Sequence, residues 1–267
     1  NTWGNVETVL EQGGGWDQLY FAGPPAMAVN AAGTHLVLEK EDRYCSGGGY
    51  IWYWKLLYGF RPAGSTAFSW TVLDSLQGSV DGGGGGGGGT SSPSICIDSK
   101  GGIQVAWDYQ DEIYWRVYDP YIKGWRGKIN LSNSPDVVSA EPSLSFYGDV
   151  HIVWQEGNDI WHKRGNWGVS PAKSKVLPSI GFWWDTPENV SNSPTTASYD
   201  PVFDGNYIAW SEEINQTAGI YLASYKDFSW NQIGRISEAV DQVSNYPQIA
   251  TRQSSTDLKV TTIWTEG

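Results

Sequence analysis

The chain has 267 residues, of which 40% are hydrophobic, 14% aromatic and only 17% charged, with 33 glycines and 16 tryptophans. That length supports one large core or two smaller ones, and abundant turn formers beside abundant aromatics favour strands over helices. A formal net charge of −12 leaves no basic face for nucleic acid, and no apolar run reaches the roughly 18 residues of a membrane-spanning helix.

Asn1 rather than Met opens the chain, as expected either after removal of a signal peptide or for a trimmed sequence. Residues 3–10, WGNVETVL, read as a strand with nothing before them to pair with. From Pro24 a repeat begins, with further units opening on Pro93, Pro142, Pro201 and Pro247. Each unit has a short apolar strand, a turn rich in Gly, Asp or Asn, and a second strand. That strand ends in Trp107, Trp154, Trp210 or Trp264 followed by an acid, with Leu38 in this place in the first unit. A third strand follows in four units: YIWYWK at 50–55, EIYWR at 112–116, DIWHKR at 159–164 and GIYLAS at 219–224. A fourth opens on Trp70, Trp125, Trp184 or Trp230. The near-identical stretches NLSNSP at 130–135 and NVSNSP at 189–194 mark the end of a unit and the crossing to the next.

Four short strands in about 45–70 residues is the pattern of a propeller blade. The expectation is an all-β, five-bladed β-propeller forming a single domain over 1–267. Its blades fall at about 24–76, 93–132, 142–191, 201–237 and 247–267 plus 1–10. The last blade is closed by the N-terminal strand 3–10, in one sheet with 258–264 or the strand beside it, which would leave no open sheet edge. Segments 43–50 and 56–68 read as lengthened loops of the first blade. Eight glycines at 82–89 follow Asp81, a run that cannot fix a conformation. The third blade carries NWGVSPAKSKVLPSIGF at 166–182, which is Pro-rich, basic and aromatic.

The acids Asp108, Glu156, Glu212 and Glu266 recur with the repeat and therefore read as architecture. His35 and His151 share one repeat position, so no Ser-His-Asp arrangement is legible. With His162 they complete the histidines, and no Cys/His spacing suits a metal. No catalytic residue, metal or cofactor is expected. Asn130, Asn189 and Asn215 open glycosylation sequons, or serve as turn formers. Cys45 and Cys96 form one disulfide or remain two buried thiols. The off-pattern Trp16, Trp115, Trp167 and Trp183 are candidate ligand contacts, with Lys173 and Lys175 as polar contacts in the insertion.

The sequence NLSNSP, PSICI and VAWDYQDEIYWR resembles the sialidase-like propeller repeats of many secreted bacterial and archaeal proteins. The Asp-box S-x-D-x-G-x-T-W is absent, and CIDSKGGI at 96–103 is a distant echo of it. The resemblance implies a propeller fold in a secreted protein, and the lack of legible catalytic chemistry beside exposed loop aromatics favours an extracellular or cell-surface, non-enzymatic role in binding or assembly. A glycan or protein, including a second copy of the chain, would dock lectin-like at the loop face, without membrane insertion. A structural subunit of a surface layer or filament is one alternative. A glycoside hydrolase of the five-bladed type, working through two separated carboxylates, is another.

Overall fold

The computed structural model describes residues 19–20, 24–46, 49–80, 92–169, 180–193, 195–214, 217–237, 244–253 and 258–266. Among them there are only strands and turns, with no helix. The chain divides into two compact units, Asn1–Pro93 and Ser94–Gly267.

The first unit holds one antiparallel sheet of β1 (Leu19–Tyr20), β2 (Ala26–Asn30), β3 (Gly33–Ser46), β4 (Gly49–Pro62) and β5 (Ser69–Val80). Of the segments expected as lengthened loops, 43–46, 49–50 and 56–62 are instead strand, while 63–68 form the turn between β4 and β5. β3 and β4 pair without interruption from Gly33–Pro62 to Ser46–Gly49, and β4 then pairs with β5. Val37, Trp54, Leu56 and Leu73 are buried there, and Trp54 Nε1 donates to Glu39.

The second unit begins with sheet 2, made of β6 (Ser94–Ile97), β7 (Ile103–Tyr109), β8 (Glu112–Asp119), β9 (Gly124–Trp125) and β10 (Ile129–Asn130). Sheet 3 contains β11 (Ser139–Tyr147), β12 (Asp149–Glu156), β13 (Asp159–Val169), β14 (Ile180–Trp184) and β15 (Glu188–Asn189). Sheet 4 contains β16 (Ala197–Asp204), β17 (Tyr207–Ile214), β18 (Thr217–Lys226) and β19 (Ser229–Arg235). Sheet 5 pairs β20 (Ser244–Gln253) with β21 (Leu258–Glu266). Every pairing is antiparallel. The N-terminal strand expected at 3–10 lies outside the described residues.

Sheets 2 to 5 stack in chain order, so the second strands of the inner sheets 3 and 4 are covered on both faces. Residues 150–154 of β12 and 208–211 of β17 are consequently buried without alternation, as both-face burial requires. The outermost strand β19 is mostly open to solvent. The repeat tryptophans fill successive seams. Trp154 packs with Ile113, Trp115 and Leu144 between sheets 2 and 3, and Trp210 with Val153, Ile160 and Phe203 between sheets 3 and 4. Trp264 packs against Ile220 and Leu222 in the last seam.

The prolines and the Asn-x-Ser-Asn-Ser stretches have repeating physical roles. The register slips just before Pro142, Pro201 and Pro247, where Glu141, Asp200 and Tyr246 take φ of 56°, 52° and 54°. A bulge tolerates proline because the ladder is already interrupted there. The serine after the proline then stitches neighbouring sheets: Ser94 Oγ accepts Leu144 N–H at 2.9 Å, and Ser143 Oγ accepts Phe203 N–H at 3.0 Å. At the crossing, Asn130 Oδ1 caps Asn133 N–H at 2.9 Å and Asn189 Oδ1 caps Asn192 N–H at 2.7 Å. Ser132 and Ser191 each accept an N–H from the second residue of the third strand, Ile113 and Ile160, at 3.0 Å. Ser191 and the backbone of Ser193 in turn donate to Asp159 Oδ1 at 3.0 and 2.8 Å.

Candidate functional site

At the end of sheets 2 and 3 that carries the β6–β7 and β8–β9 turns, a groove of about 500 Å³ opens. Lys100, Asp119, Tyr121, Ile122, Arg126 and Trp167 line it. Its wall is built from Asp98. Asp98 Oδ1 accepts Lys100 N–H and Gly102 N–H at 2.9 and 2.8 Å, closing the turn. Gly102 is needed here because a Cβ would meet Asp98 Oδ2 at 2.3 Å. Asp98 Oδ2 accepts Gln104 Nε2–H and, from the next sheet, Trp167 Nε1–H, both at 2.7 Å. The Trp167 ring is thereby locked across the seam, half-buried, with Phe182 edge-on at a centroid distance of 5.3 Å.

The opposite side is charge-neutral. Buried Asp119 accepts Tyr121 N–H at 2.8 Å and Arg126 Nε–H at 2.7 Å, with Arg126 Nη2 also bonded to it. Arg126 then sits over the Trp167 ring, with Cζ 5.8 Å from its centroid, and Tyr121 meets the same ring edge-on at 5.9 Å. Tyr121 and Ile122 are 63% and 61% exposed, which makes this the least shielded aromatic–apolar surface of the groove. The arrangement offers a fixed indole face, a phenol ring and an ammonium group at Lys100, a combination that stacks and hydrogen-bonds.

Of the described residues expected at a binding surface, only Trp167 lines this groove. Trp115 is a correction: it is 1% exposed, packed edge-on against Trp184, with its Nε1–H given to Gln104 at 3.0 Å. Its place in β8, alternating inward with Ile113 and Val117, makes it core. Trp183 folds onto its own hairpin, donating to Gly168 O at 3.0 Å. Trp16, Lys173, Lys175 and Asn215 lie outside the described residues. Asn130 and Asn189 are half-buried in the crossing turns. Cys96 is a buried free thiol, pushed up by burial and by Asp98, whereas the Cys45 side chain lies outside the described residues.

The repeat acids serve the tryptophans. Trp154 Nε1–H donates to Glu156 at 2.9 Å and Trp210 Nε1–H to Glu212 at 3.1 Å. The carboxyl pair that does stand out is Glu141 and Asp200, on the two consecutive bulges. Glu141 Oε2 accepts Asp200 N–H at 2.9 Å, and the two carboxyls also hydrogen-bond each other. Burial first, then the charge of Asp200 and more weakly of Asp108, raises Glu141 to about 7. Burial raises Asp200 as well, so one proton is shared. Among the described residues no group of three His, Cys, Asp or Glu side chains is disposed to hold a metal ion.

Sequence reasoning missed Asp98, Asp119, Tyr121 and Arg126. The signal available was an acid and an arginine flanking the β8–β9 turn, which the repeat alignment treated as filler. Comparison with protein-family models and with curated proteins found no match.

Proposed function

We propose that the chain is a secreted five-bladed β-propeller that binds glycan non-enzymatically through the Trp167 groove. The blade reading is supported by the recurrence of one strand order over 94–235, by the serine stitches between consecutive sheets, and by the related hairpins of 24–80. The observation that carries the binding reading is the Trp167 indole. It is clamped by Asp98 and Arg126 so that a rigid aromatic face lines an open groove in which Asp119 and Arg126 are already paired with each other. A pre-positioned ring costs little entropy when a sugar face stacks on it. Tryptophan fluorescence of the full chain, titrated with soluble polysaccharides, tests this. Saturable binding that weakens at least tenfold in a Tyr121→Ala/Ile122→Ala variant supports the reading, and titrations that never saturate refute it.

One observation favours a hydrolase as a second reading: Glu141 holds its proton to about 7, as a general acid would. Its partner carboxyl is in direct contact, however, whereas glycoside hydrolysis places the two about 5–9.5 Å apart around the sugar. Release of fluorophore from a panel of glycosides by the wild type, abolished in Glu141→Gln, would favour this second reading over the first.

A further inference from the structure

A second groove, also of about 500 Å³, lies between sheets 3 and 4, lined by His162, Arg164, Trp184, Asp185, Glu188, Tyr225 and Phe228. It stands apart from the Trp167 groove, and its chemistry is different. Three aromatic side chains face it, of which Phe228 is 76% exposed. Phe228 rests on the Arg164 guanidinium, whose Cζ is 4.6 Å from the ring centroid.

The polar groups are held from behind, with atoms left over in front. Arg164 donates through Nε and Nη2 to Asp185 Oδ2 at 3.0 and 2.8 Å, and its Nη1 lies 3.7 Å from Asp149. Glu188 Oε1 accepts His162 Nδ1–H at 2.7 Å and Trp230 Nε1–H at 3.0 Å. His162 is in turn anchored through Nε2 to His151 Nδ1 at 2.9 Å, and both imidazoles are buried. Both bonds to Glu188 fall on Oε1 and both from Arg164 fall on Asp185 Oδ2. Oε2 of Glu188 and Oδ1 of Asp185 have no partner among the described residues. The two carboxylates are therefore oriented acceptors beside aromatic faces.

We infer that this groove is a second glycan site selective for neutral sugars. A sugar presents hydroxyl donors at its rim and C–H groups on its face, which match the free carboxylate oxygens and the Trp184, Tyr225 and Phe228 rings. Uronic or other acidic sugars are disfavoured. The one guanidinium in the lining is already committed to Asp185, and two carboxylates face the ligand in a chain of net charge −12. A simple cation is disfavoured too, because Arg164 already occupies the aromatic platform at Phe228.

This inference rests on the reading of the protein as a glycan binder, and the two grooves are separable by mutation. The full chain carrying Tyr121→Ala and Ile122→Ala, which disables the first groove, is titrated with soluble galactan, mannan and xyloglucan and with polygalacturonate. The expected result is residual saturable binding to at least one neutral polysaccharide, at least tenfold tighter than to polygalacturonate. Adding Phe228→Ala, or Glu188→Gln, which keeps an acceptor for His162 and Trp230, then weakens that binding at least tenfold. Residual binding that ignores both added substitutions, or that is as tight for polygalacturonate, overturns the inference. So does loss of all binding in the Tyr121→Ala/Ile122→Ala background, which leaves the first groove as the sole site. If the wild type binds none of the four, both readings fall.

Discussion

Replacing Glu141 with glutamine removes one of two carboxyls that share a proton across consecutive bulges. Glutamine fills the same volume, can still accept Asp200 N–H through Oε1, and can donate an amide N–H to the Asp200 carboxylate. In the wild type the Glu141 carboxyl is raised from 4.5 to about 7, so the folded state holds this proton more tightly than the unfolded chain does. The contribution of the pair is therefore greatest below about pH 4.5, declines as pH rises, and is fully lost above about pH 7. The gap between those values corresponds to roughly 3 kcal/mol. Glu141 is partly open to water, and screening reduces this to about 1–2 kcal/mol. Glu141→Gln should thus be more stable than wild type by about 1–2 kcal/mol at pH 8, or about 3–6 °C in Tm, with the advantage gone at pH 5. Urea unfolding of both proteins at pH 5 and pH 8 measures it. A variant that is no more stable at pH 8, or whose advantage is the same at both pH values, refutes the shared-proton account.

Ser191→Ala leaves Ile160 N–H without its acceptor and removes one of the two donors to Asp159 Oδ1, and should cost about 1–3 kcal/mol; Ser132→Ala, at the equivalent crossing, should cost a similar amount in the same unfolding assay. Asp98→Ala strips the acceptor from Trp167, Gln104 and the β6–β7 turn. It should destabilise by about 3 kcal/mol or more, and unchanged glycan affinity at a temperature where it is folded would show that the indole clamp is irrelevant to binding. Cys96, buried with its thiol pushed up, should resist a thiol reagent in the native chain and react within the dead time in denaturant; rapid native labelling at Cys96, located by peptide mapping, would contradict its burial.

How much of this was legible in the sequence follows from what repeats. Prolines, strand tryptophans and the NxSNSP stretches repeat because each sheet meets its neighbour through the same bulge, the same seam and the same crossing turn. The first three strands of each unit over 94–235 fall where those signals place them, whereas the strands expected to open on Trp125 and Trp184 end on them, and only β19 begins beside its tryptophan, Trp230. What does not repeat was obscured. Trp115 looked off-pattern when matched between units, yet alternation within β8 alone marks it as core. Glu141 and Asp200 sit immediately before the unit-opening prolines, a position read as connection, and only the cross-sheet approach of successive bulges makes them a pair. The groove residues Asp98, Asp119 and Arg126 come from two turns and act on a tryptophan about 40–70 residues away, a relation no local pattern encodes. His162 and Glu188 pair between β13 and β15, a register visible only once the sheet is formed.

Hydrogen exchange on the full chain, with and without a saturating polysaccharide, tests the central claim most directly, because it reports where the ligand sits without relying on a variant. Binding through the Trp167 groove predicts slowed exchange in 98–102, 119–126 and 166–168, with residues 139–142 and 197–201 around Glu141 and Asp200 unchanged. Protection confined to those two bulges, with the groove segments unaffected, would contradict the account and place the ligand at the carboxyl pair instead.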